Sequence, residues 1–145
     1  MKSALRRRTA RGTHVVEFAL LMPLFLMLVM GCIEYSWVMV HRTAINSAVD
    51  VGCRAASLVD PGLRETNKAA VTGKAASEMV TWFDQHGPGC KGSCVSAVDL
   101  VGSLPGRSVR CRLQIDYTPI TGFLPTPSIM AATAVVRLEY QRNPS

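Results

Sequence analysis

Gly12 to Val40 reads GTHVVEFALLMPLFLMLVMGCIEYSWVMV, and no other stretch limits the fold as much. From Phe18 to Ile33 it carries no charged side chain. As a helix rising ~1.5 Å per residue it is long enough to cross ~30 Å of hydrocarbon with some tilt. A carboxylate near the middle of such a span costs roughly 2.5–3.5 kcal/mol. Glu17 and Glu34, near its two ends, therefore each need a physical reason to be there. Pro23 removes an amide donor and is expected to kink or locally open the helix, with neighbouring helices re-satisfying the freed carbonyl in lipid. Tyr35 and Trp37 fall where the run meets the far interface, as amphipathic aromatic residues do.

The formal net charge of +6 is concentrated ahead of this run, in Lys2, Arg6, Arg7, Arg8 and Arg11, and the rest of the chain is nearly balanced. Such a distribution sets topology: positive charge before a span keeps the N-terminus in the cytoplasm and exports the remainder of the chain. It does not point to a nucleic-acid partner, for which a basic arm is the alternative reading. A secretory signal peptide would have a shorter apolar region. Val29-Met30-Gly31-Cys32 is close to the lipidation site of a lipoprotein, but Glu17 and Pro23 would then lie inside the signal, and Glu34 to Val40 is not a polar tether.

Arg11-Gly12 followed by Thr13-His14-Val15-Val16-Glu17-Phe18 resembles the processing site of type IV pilins and pseudopilins. The fuller pattern most resembles TadE-like pseudopilins of tight-adherence pilus systems. Its matching positions are Gly12, Glu17, Phe18, Pro23, Gly31, Glu34, Tyr35, Gly52, Arg54, Ala55 and Ala56, with Cys53 where the family usually has Ala. The resemblance covers residues 11 to 57 and implies several things. A prepilin peptidase would cut after Gly12, leaving Thr13 as the new N-terminus. Glu17 would pair with the terminal amine of an adjacent subunit, removing two charges' separate penalties in lipid. Partners would be that peptidase, sibling pilins or pseudopilins, the inner-membrane assembly platform and the bilayer itself. Glu34 has two readings, similar pairing lower in an assembly or snorkelling to the outer interface.

Beyond Val40 the helix is expected to continue to about residue 58, because Ala44, Ile45, Ala48, Val49, Gly52, Cys53 and Ala56 recur on one face. Arg42, Asn46, Asp50 and Arg54 form the opposite stripe, with Asp50 able to pair with Arg54. The small residues Ala48, Gly52 and Ala56 allow close packing, first of all against the chain's own sheet. Asp60-Pro61-Gly62 is a turn. A second helix comes next, from about Leu63 to Asp84, with Val71, Ala75, Met79, Trp82 and Phe83 on its apolar side, and Gly87-Pro88-Gly89 ends it. The period then changes. Val95 to Val101 reads as a strand, Leu104 to Arg107 as a turn, and Val109 to Tyr117 alternates apolar with polar residues. Thr118 to Pro127 holds three prolines and is a loop in which Ile120, Phe123 and Leu124 are candidates to touch bilayer, partner or the domain's own edge. A last strand is expected from about Met130 to Tyr140.

Of five cysteines, Cys32 falls inside the span and is expected to be free. The others would be exported to an oxidising compartment, where disulfides form. Cys90 and Cys94 flank a short Gly-containing loop and suit a local bridge; Cys53 and Cys111 both fall on buried faces and suit a second. A zinc site from His86, Cys90 and Cys94 lacks a fourth ligand and the usual spacing. No arrangement of His14, His41 or His86 with a nucleophile or carboxylate suggests catalysis, and no cofactor or metal is expected.

The expectation is thus an α+β, pilin-like chain: a leader (1–12), a transmembrane helix (13–40) and a periplasmic domain (41–145) with a second helix and a three-stranded antiparallel sheet. Its function would be that of a minor pseudopilin priming or assembling a tight-adherence pilus. The rival is a membrane-anchored envelope protein or lipoprotein unconnected to pili.

Overall fold

The computed structural model describes residues 9–59, 67–90, 92–102, 107–122 and 125–138, with side chains from residue 15 onward. Two helices and one sheet are arranged along the chain in the order α1 (Thr9–Ser57), α2 (Lys68–His86), β1 (Val95–Val101), β2 (Ser108–Asp116) and β3 (Ile129–Arg137). The architecture is α+β. The chain divides into two units, Met1–Trp37 with Pro119–Pro125, and Val38–Thr118 with Thr126–Ser145.

In the first unit every side chain from Val15 to Leu28 is exposed, although nearly all are apolar. A helix that is apolar all round and uncovered by protein fits a lipid surround, not water. It is long and apolar enough to cross a membrane. The helix continues through Pro23, whose missing N–H leaves the Ala19 carbonyl without its usual donor.

The second unit has its own core. Ile45, Ala48, Val49, Cys53 and Ala56 of α1 are buried, as are Val71, Ala75, Met79 and Phe83 of α2 and Val109, Cys111, Leu113 and Ile115 of β2. The α2 stripe repeats every four residues, so it stays on one side of the helix. Trp82 lies about 100° away from Phe83. It is accordingly half-buried rather than in the core, with its ring stacked on His86 at 5.0 Å. Asn67 caps α2 at Lys68 by accepting the Ala70 amide at 3.1 Å, and the expected start at about Leu63 lies outside the described residues. At the other end the helix runs two residues past Asp84, to His86, where the Gly87 amide donates to the Phe83 carbonyl.

The sheet order is β1-β2-β3, antiparallel throughout. β2 is central and strictly alternating: Cys111 faces Val98 on one side and Ala134 on the other, and Leu113 faces Ser96 and Ala132. The edge strands expose one face and half-bury the other, as expected when only one side of a sheet meets helices. α2 packs on β1 and β2. β3 covers 129–137, and the expected extension to Tyr140 lies outside the described residues, as do the turns at 60–62 and 104–106 and the side chains of Phe123 and Leu124.

One helix-surface expectation is corrected. Among the described residues the ion pair at i, i+4 spacing is Lys74–Glu78 on α2, at 2.7 Å, not Asp50–Arg54 on α1. Both members are largely solvated, so its contribution is small, about 0.3–0.5 kcal/mol.

Candidate functional site

The residues singled out in the sequence fall into two groups along α1. In the first unit, Glu17 and Phe18 lie on the exposed apolar stretch, followed by Pro23. Gly12 and Thr13 are helical in backbone. Gly31 has open space where a side chain would project, with nothing within 4 Å of a Cβ built there. Among the described residues nothing approaches it closely. Cys32 is free and exposed.

Glu34 departs from the snorkelling expectation. It is fully buried, and chain remote in sequence buries it. Its Oε1 accepts the Ile120 amide at 3.1 Å; its Oε2 accepts the Thr121 amide at 2.9 Å and the Thr121 hydroxyl at 2.7 Å. Two consecutive amides and a hydroxyl thus converge on one carboxylate. Charge-assisted bonds of this kind offset the desolvation that makes a buried carboxylate costly. They also explain why an acidic residue is tolerated at the end of an apolar span. Tyr35, beside it, is exposed.

In the second unit, Gly52 is fitted to α2. A Cβ there would overlap the Met79 side chain and come within 2.8 Å of the Ala75 carbonyl oxygen. At Gly52 the close approach is therefore to a helix, whereas the sequence pointed first to the sheet. Arg54 is exposed and lines an open groove of about 620 Å³ with Val51, Ala55, Leu58, Ala70 and Lys74. Ala55 is half-buried and Ala56 fully buried.

Cys53 and Cys111 form a disulfide with Cα atoms 5.8 Å apart, linking α1 to the central strand. Cys90 and Cys94 form the other, with Cα atoms 5.1 Å apart. Gly92, between them, has φ +83°, a conformation this short loop reaches without strain only with glycine. Asp84 Oδ1 accepts the Cys90 amide at 2.6 Å and holds the loop to the end of α2. Sulfurs joined in this way are not thiolate ligands. Among the described residues no group of three or more His, Cys, Asp or Glu is placed to hold a metal.

The family model for TadE-like protein matches residues 12–54. Over these residues the chain is similar to TadE-like proteins. The TadE-like segment contains the apolar span, Glu17, Glu34, Gly52 and Arg54, and ends within α1. Its two glutamates differ sharply in surroundings: Glu17 is on the exposed stretch and Glu34 is enclosed. No curated protein matches the chain. No solved structure matches it either.

Sequence reasoning missed the partners of Glu34, because Ile120 and Thr121 lie 86 and 87 residues away and bind mainly through backbone amides. No side-chain pattern announces such a contact. It also missed Met79 as the neighbour of Gly52, although the two lie on apolar faces that were each legible.

Proposed function

We propose that this chain is a minor pseudopilin that primes or assembles a tight-adherence pilus. It is a substrate of a prepilin peptidase, cut after Gly12, and not itself a catalyst. The carrying observation is that the TadE-like match begins at Gly12, at the head of a helix long and apolar enough to cross a membrane. Glu17, five residues on, stands on that exposed apolar surface, where an acidic side chain is expensive unless a partner charge joins it. The new amine of Thr13 on a neighbouring subunit supplies that charge, and the pair rewards correct register more than it adds net stability. The folded α+β region beyond Val38 suits a minor subunit better than a bulk pilin. The leader remains in the cytoplasm and the C-terminal domain in the periplasm, with sibling pilins and the assembly platform as partners.

The test uses two substitutions in cells that make the pilus. Gly12→Val should leave a full-length precursor in the membrane, because a side chain obstructs the close approach that glycine permits. Glu17→Ala and Glu17→Gln should still yield mature protein beginning at Thr13, while surface pili fall. Normal piliation in both Glu17 variants would sink the pairing. A mature N-terminus at a lipidated Cys32 would replace the pseudopilin reading with that of an envelope lipoprotein.

A further inference from the structure

The loop that encloses Glu34 has an uncommon set of backbone donors. Ile120 and Thr121 turn their amide N–H groups toward the carboxylate. The Ile120 side chain is 56% exposed. Pro119 and Pro125 have no amide N–H to satisfy, and no charged side chain lies between Thr118 and Ser128. Pro119–Thr121 therefore combines inward-satisfied donors, a missing donor and an outward apolar side chain. That combination suits a boundary where water is scarce and unpaired amides are costly.

Position along α1 identifies the boundary. From Val15 to Glu34 the helix rises about 28 Å, close to the ~30 Å thickness of a hydrocarbon core. Glu34 therefore stands about one bilayer core away from the start of the apolar span. Tyr35, next to it, is an exposed amphipathic aromatic of the kind found at the interface. The loop pinned to Glu34 shares that depth, because the amides lie within hydrogen-bond distance of the carboxylate.

We propose that Pro119–Gly122 is a second membrane contact, seated at the outer boundary of the bilayer with Ile120 among the upper acyl chains and held there by the Glu34 carboxylate. The contact rests on α1 spanning the bilayer, and not on the pilus reading. Its occupant is lipid rather than a second copy of the chain, because the loop's depth coincides with the end of the span and its exposed side chain carries no charge to select a protein partner.

The full-length chain with Cys32→Ser is labelled at Ile120→Cys with an environment-sensitive fluorophore, in nanodiscs of phosphatidylcholine and phosphatidylglycerol. Lipids brominated near the headgroup or deep in the acyl chain serve as quenchers, and iodide probes water. Labels at Leu24→Cys and Thr133→Cys, both exposed positions, give the deep and aqueous references. The label at 120 should be quenched by shallow-brominated lipid and largely spared by deep-brominated lipid and iodide. Thr121→Val should weaken that quenching, and Thr121→Ser, which keeps the hydroxyl, should preserve it. Iodide quenching at 120 equal to that at 133 would overturn the proposal. So would protection from both lipid and iodide that disappears on dilution, which would put a second copy on the loop. A Leu24 label untouched by deep-brominated lipid would remove the span and the proposal with it, while leaving precursor cleavage as a separate question.

Discussion

Gly52 shows how a single missing side chain can set the distance between two helices. A methyl group there meets the Ala75 carbonyl oxygen at 2.8 Å and overlaps Met79, which is fully buried and has little room to withdraw. Gly→Ala in a helix interior is normally favourable by roughly 0.5–1 kcal/mol. Here overpacking should outweigh that gain, and Gly52→Ala is expected to destabilise the domain by about 1–3 kcal/mol, read as a lower urea midpoint with an unchanged slope. The same substitution at Gly31, where the added carbon meets nothing within 4 Å, should not lower that midpoint. Glycine at both positions was legible in the sequence. Which of them is sterically required within the chain was not, because the answer depends on α2, a separate element.

At the scale of elements, the two disulfides are expected to contribute unequally. Cys53–Cys111 closes a separation of 58 residues and joins α1 to β2, both through buried side chains. Cys90–Cys94 closes a separation of four. Chain-entropy reasoning gives the longer loop the larger effect. Replacing Cys53 and Cys111 together by Ser should cost about 2–4 kcal/mol in chemical denaturation, and replacing Cys90 and Cys94 clearly less. Peptide mapping of protein from an oxidising compartment that found Cys53 reduced would remove the first pairing. The helix and strand periods in the sequence placed Cys53 and Cys111 on buried faces, which is why their meeting could be anticipated. The cap of α2 was not marked by the helix period. Residues 64–68 are all polar, so periodicity gives no boundary there, and the cap is supplied by Asn67, whose side chain accepts the Ala70 amide.

For the whole molecule, topology is the prediction that tests most at once. Positive charge ahead of the span should hold the leader in the cytoplasm, so alkaline phosphatase fused after Ser145 should be active. A fluorescent protein that matures only in the cytoplasm should stay dark at the same position. The opposite pair of results would remove the exported domain, and with it the oxidising surroundings that both disulfides need. What the sequence determined by itself was local or periodic. The apolar run from Phe18, the one-sided stripes of α1 and α2, and the alternation from Val109 to Tyr117 each arise from burial repeated at the period of the backbone, so a linear string carries them. That accounts for the α+β class, the order of elements and the membrane-length helix. Only tertiary structure decided what meets across long separations. The enclosure of Glu34 by the Ile120 and Thr121 amides is the clearest case, because every residue but proline carries the same backbone donor, and only the folded path of the chain selects which ones arrive.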